Sequence, residues 1–113
     1  MIRHLVPAMR ERGWGRVVTI GGGLASQPMN THPQYNATLA VRHNLAVSLA
    51  RELKGTGVTS NVVSPGAIVI NDQERFGKPE EVAAAVAYLC GDHAQYISGA
   101  TIRVDGGLVR SAF

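Results

Sequence analysis

The sequence predicts one small α/β domain built on a parallel sheet, and three observations carry that expectation. Three short runs rich in β-branched residues, RVVTI at 16–20, VTSNVV at 58–63 and ATIRV at 100–104, read as strands. Stretches with the apolar spacing of amphipathic helices lie between them, over 33–54 and 79–90. Each strand closes on a turn that contains glycine, at Gly21-Gly22-Gly23, Ser64-Pro65-Gly66 and Asp105-Gly106-Gly107. Strands that alternate with helices pair in parallel through right-handed crossovers. The expected architecture is therefore three parallel strands with flanking helices, one domain over residues 1–113.

Taken in order, Ile2, Leu5, Val6 and Met9 lie on one helical stripe, and Gly13 stops that first helix. No capping residue precedes it, so it reads as the tail of a longer helix. After the first strand, residues 24–32 are polar and broken by Pro28, hence a loop. Pro33 suits the first turn of the second helix, with Asn30, Thr31 or His32 as the cap. Its expected apolar band is Ala37, Leu45, Leu49 and Leu53, and Gly55 and Gly57 end it. Residues 67–77 follow no regular period. Pro79-Glu80-Glu81 opens the third helix, with carboxylates at the positive end of its dipole. Val82, Ala85, Val86 and Leu89 are its expected buried stripe, and Gly91 its stop.

Composition narrows the function classes. Apolar residues make up 45% of the chain, which excludes disorder. No apolar run reaches bilayer length, and Arg3, His4 and Pro7 interrupt any signal-peptide core, so a cytoplasmic protein with no membrane partner is expected. Cys90 is the sole cysteine, too few for a disulfide or a zinc site, and within the apolar run 83–90 it reads as a small buried thiol. The net charge of +3 is scattered. Its densest group, Arg3, Arg10, Arg12 and Arg16, alternates with apolar positions and lacks interleaved aromatics, which points to a solvated helix face and not to nucleic acid. The four histidines show no metal-binding spacing.

Four stretches together resemble the short-chain dehydrogenase/reductase family, and its C-terminal half only. They are MRERGWGRVVTIGG (9–22), QYNATLAVRHNLAVSLARELKGTGVTSNVVSPGAIV (34–69), RFGKPEEVAAAVAYLC (75–90) and YISGATIRVDGG (96–107). They cover nearly the whole chain in the family's order and spacing. The resemblance implies a truncated Rossmann-like three-layer fold, NAD or NADP as the cofactor, and a homo-oligomer formed through the 34–54 helix. The family's glycine-rich TGxxxGxG turn, which cradles the pyrophosphate, is absent from the sequence. Gly21-Gly22-Gly23 imitates part of it, but no helix follows directly, so a plain turn is expected there.

The resemblance also implies site residues. The family uses a Tyr-x-x-x-Lys pair and a serine thirteen residues before the tyrosine. Positions four apart stack on one helix face, so the lysine can ease ionisation of the phenol. Here the tyrosine is Tyr35, the lysine position is Leu39 and the serine position is Gly22. Arg42, seven residues after Tyr35 and on nearly the same face, is the candidate for the missing charge. Pro65, Gly66 and Ile68 match the segment whose backbone meets the nicotinamide, whereas Ile70 replaces an expected threonine. Between Ile70 and Arg75 only four residues stand where the family has a substrate-covering lobe.

Three functions follow as expectations. The first is an oxidoreductase by descent, with Tyr35 and Arg42 catalytic, standard hydride transfer impaired or lost, and the substrate unspecified. The second is a non-catalytic oligomeric binding protein. The third is a cofactor-free hydrolase or lyase around Tyr35, using Ser26 and His32 with Asp105 or Asp72 as orienter; nothing like G-x-S-x-G surrounds Ser26.

Overall fold

Helix α1 (Ile2–Arg12) ends where Gly13 adopts a left-handed conformation (φ 71°) and donates to the Arg10 carbonyl. That turn feeds the chain into strand β1 (Gly15–Ile20). A single 3₁₀ turn at Gly23–Ala25 and a loop lead to helix α2 (Pro33–Glu52), then strand β2 (Val58–Pro65), helix α3 (Pro79–Cys90) and strand β3 (Thr101–Val104). The structure is a computed structural model that describes residues 1–66 and 77–112.

The sheet is parallel throughout, in the order β1-β2-β3. Register runs from Gly15 opposite Val58 to Ile20 opposite Val63, and from Val62 opposite Thr101 to Pro65 opposite Val104. As the central strand, β2 is buried from Val58 to Ser64. Alternation along it sorts the core into two layers. Val58 packs with Val6, Leu53 and Val17 beneath α1 and α2, whereas Val63 packs with Leu89, Ala94 and Ile102 beneath α3. This is the expected three-layer, Rossmann-like arrangement.

Two polar residues inside β2 tie the layers together. Ser60 Oγ donates to the Ala46 carbonyl of α2 (2.8 Å). Asn61 Nδ2 donates to the Ile97 carbonyl (2.8 Å), and its Oδ1 accepts from the Ala100 amide (3.0 Å). Asn61 thus fixes the chain that enters β3. Gly57, at φ 81°, sits so close to Gly13 that a Cβ there would collide with the Gly13 carbonyl.

Three expectations are corrected. The buried face of α2 is Asn36, Leu39, Ala46 and Ala50, continued by Leu53, whereas Leu45 is 62% exposed and Ala37 is also outside. Where the helix meets the central strand, Ser60 Oγ bonds the Ala46 carbonyl, and the small residues Ala46 and Ala50 are the buried ones there. Cys90 is exposed, because Leu89 takes the buried position at the end of α3. Arg16 belongs to no helix. Its guanidinium lies 4.7 Å from the centre of the Trp14 ring and donates to Gly91 O (3.1 Å) and Gln95 Oε1 (3.0 Å), clamping β1 to the end of α3.

Candidate functional site

Ligands of open parallel sheets bind at the carboxyl ends of the strands. Here that end carries a cleft of about 670 Å³ between Ile20, Gly22, Tyr35, Leu39, Pro65 and Gly66. Tyr35 stands in the first turn of α2, 54% exposed. Pro33 starts that turn, and His32 precedes it in a left-handed conformation (φ 54°) with no side-chain cap. Asn36 fastens the entering loop by donating to Met29 O (2.8 Å), which brings Met29 to the rim of the cleft.

The segment after β3 forms the opposite wall. Asp105 accepts from the amides of Gly107 and Val109 (each 3.0 Å), and Gln27 accepts from the Arg110 amide (2.7 Å). These bonds hold Leu108 and Val109 against the cleft. Sequence reasoning read Asp105 as a strand end and as a candidate orienter for Ser26 and His32, and passed over Gln27. The usable signal was the DGG turn, whose aspartate has amides two and four residues ahead to accept from.

Gly22 and Leu39, the positions at which the family resemblance implies a serine and a lysine, meet at the cleft floor. Leu39 is 2% exposed, and a Cβ built on Gly22 would stand 3.0 Å from its Cδ1. Leucine therefore occupies the space a larger residue at 22 would need. Pro65 and Gly66 line the same cleft as Tyr35. Arg42 does not: its Nη1 donates to Ile20 O (3.4 Å), and it is not among the residues that wall the cleft. Ile68, Ile70 and Asp72 lie outside the described residues.

Gly21-Gly22-Gly23 is a turn and does not form a phosphate cradle. Its first two amides are already committed, Gly21 N–H to Val63 O (2.9 Å) and Gly22 N–H to His43 Nε2 (3.3 Å). A pyrophosphate needs such amides unspent. Among the described residues, this turn therefore leaves neither of those two amides to a phosphate. His43 has its pKa lowered from the usual 6.5 by burial, and protonating Nε2 would also cost the bond from Gly22. The alternative nucleophile site is not assembled among the described residues. Ser26 Oγ donates to Gly23 O (3.3 Å), and Asp105 is held by its own turn.

Comparison with known proteins agrees with this geometry. Residues 1–80 match the family model for short chain dehydrogenases, and residues 70–109 match one described as enoyl-(acyl carrier protein) reductase. An acetoacetyl-CoA reductase from Allochromatium vinosum is 33% identical over 123 residues, covering 94% of this chain and 50% of that protein. The crystal structure of an acetoin dehydrogenase from Enterobacter cloacae superposes with a TM-score of 0.88 at 33% identity, covering 98% of this chain and 51% of its own. An L-sorbose reductase from Gluconobacter frateurii, complexed with NADPH and L-sorbose, gives a TM-score of 0.88 at 29% identity, over 97% of this chain and 53% of its own. The chain spans about half the length of the curated relatives it matches. No helix among the described residues is long and apolar enough to cross a membrane. With one family model covering residues 1–80 and the fold shared with solved dehydrogenases, the chain belongs to the short chain dehydrogenase family.

Proposed function

We propose that this chain corresponds to the C-terminal half of a short chain dehydrogenase and that its cleft binds an apolar, carbonyl-bearing group without standard hydride transfer. The observation that carries this reading is the packing of Leu39 against Gly22 at the floor of the cleft. A catalytic phenol must ionise near neutral pH to exchange a proton efficiently, and a neighbouring cation is what makes that possible. At the position of that cation stands a buried leucine, and Arg42 is not among the residues that wall the cleft. Tyr35 still presents a hydroxyl to a ligand, against walls that Met29, Leu39, Leu108 and Val109 make apolar. The cofactor class is NAD or NADP by kinship, with Pro65, Gly66 and Ile68 as the segment beside a nicotinamide.

The experiment is a calorimetric titration of the purified chain with NADH and with NADPH, alongside a spectrophotometric assay of hydride transfer. No saturable heat at micromolar cofactor and no turnover are expected. Micromolar binding with turnover that Tyr35→Phe abolishes would overturn the reading and return Tyr35 to the role of catalytic acid.

The chain is also proposed to associate with a second copy through α2. Val41 and Leu45 stand exposed on that helix, and Ile2 and Leu5 stand exposed on α1, which shares its side of the sheet. Apolar side chains grouped on one side of a small domain favour a partner that covers them.

A further inference from the structure

A second cleft opens at the amino end of β2, between the last turns of α2 and the 95–99 segment, with a volume of about 680 Å³. It lies at the opposite end of the strand from the Tyr35 cleft and shares no lining residue with it. Ala50, Leu53 and Val58 give it an apolar floor, and Tyr96 stands exposed at its rim. No aspartate or glutamate lines it, and its two charged lining residues are both cations, Arg51 and Lys54. Both are exposed, and neither side chain makes a hydrogen bond or ion pair among the described residues. Glu52, between them in the chain, faces Arg10 of α1 (3.7 Å).

Thr59 is the one buried polar residue among those that line the cleft. It is 3% exposed, and its Oγ1 has no hydrogen-bond partner among the described residues. Register sets Arg16 of β1 opposite Thr59, so the two side chains share one face of the sheet. Arg16 Nε is buried and unpartnered as well. The rest of that guanidinium donates to Gly15 O, Gly91 O and Gln95 Oε1, all neutral acceptors, and Gln95 lines the cleft. A buried polar group without a partner is costly, so proteins rarely leave one unless something else satisfies it. From its inner end to its rim, the cleft therefore offers donors and positive charge with no acceptor to meet them.

We propose that this cleft binds a phosphate monoester with an apolar body, its phosphate held by Arg51, Lys54 and the Thr59 hydroxyl while the body lies on Ala50, Leu53 and Val58 against Tyr96. A phosphate monoester carries close to two negative charges near neutral pH and three acceptor oxygens, which matches two free cations and an unpartnered hydroxyl. A monocarboxylate would leave one of the cations unbalanced. The volume falls within the range of small-molecule sites. The site stands independently of any chemistry at Tyr35.

The probe is phenyl phosphate, added at up to millimolar concentration to the full chain labelled with ¹⁵N and ¹³C, with NMR shifts as the readout. Saturable shifts at Arg51, Thr59, Gln95 and Tyr96 are expected, with inorganic phosphate binding more weakly and benzyl alcohol giving none. Arg51→Gln combined with Lys54→Gln, both on the exposed rim, should weaken phenyl phosphate about tenfold, the scale of two partly screened charge contacts. Thr59→Val supplies a readout that a purely structural threonine would not. It should weaken phenyl phosphate severalfold and yet raise the melting temperature of the free chain, because it removes a hydroxyl that the fold leaves unpaired. The proposal is overturned by failure to saturate, by benzyl alcohol or inorganic phosphate binding as well as phenyl phosphate, or by shifts confined to the Tyr35 cleft. Unchanged affinity in the double rim variant, or a loss of stability in Thr59→Val, overturns it too.

Discussion

Gly22 and Leu39 behave as one unit, and their energetics follow from contact. A serine at 22 overpacks against Leu39 and is expected to cost about 1–3 kcal/mol. A lysine at 39 places an ammonium where 2% of the side chain is exposed, at about 3 kcal/mol or more. Together the changes exchange leucine bulk for a polar pair, so the double variant should lose at least about 1 kcal/mol less than the sum of the singles in urea unfolding. Strict additivity would mean the two side chains do not meet. His43 gives a second residue-level expectation. Its pKa is lowered in the folded state, so below about pH 6.5 the unfolded chain takes up a proton that the folded chain resists. Stability should therefore fall as pH drops from about 7 toward 5, levelling once the folded ring itself protonates, and His43→Leu should flatten that part of the profile. Tyr35, Pro65 and Gly66 could be singled out in the sequence because they fall in continuous motifs, and all three line one cleft. His43 and Gln27 were not, because each gains its role from a partner distant in sequence or in the loop after β3.

At the scale of the element, strand and helix positions were legible to within a few residues, since β-branched runs, Pro33, Pro79 and the glycine stops are local signals. The rotation of α2 about its axis was not. Two apolar stripes compete on it, and the sequence favours the leucine-rich one, while the sheet selects the alanine face because Ser60 must reach the helix backbone. Which stripe wins is a property of β2 and not of α2. The same dependence makes Asn61 a strong test of how β3 is placed. Asn61→Ala strands the Ala100 amide and the Ile97 carbonyl together, and should cost about 2–3 kcal/mol. In a domain of this size that corresponds to a fall in Tm of about 10 °C or more. A drop below about 2 °C would show that the 97–100 segment holds itself.

For the whole molecule, the sheet divides two kinds of burial. The α3 layer closes over β1, β2 and β3, whereas α1 and α2 cover β1 and β2 and leave the Arg103 side of β3 as an open cleft. Among the apolar residues left outside, Ile2 and Leu5 stand on α1 and Val41, Leu45 and Val47 on α2. A dimer at micromolar concentration in sedimentation is expected, with Leu45→Glu shifting it to monomer while far-UV circular dichroism stays unchanged. A wild-type chain that remains monomeric would remove the interface from α2. Parallel order and layer count were legible from the alternation of strands and helices. The two clefts were not, because each is assembled from segments that meet only after the strands are in register.

The meeting of Gly22 and Leu39 also bears on what evolution can do with this cleft. Serine regained alone runs into leucine, and lysine regained alone is a buried charge without its setting. Each single step back toward the three-residue catalytic pattern therefore passes through a less stable protein, and only the joint change escapes. The Gly22–Leu39 contact works as a ratchet: a change at either position alone costs more than the paired change.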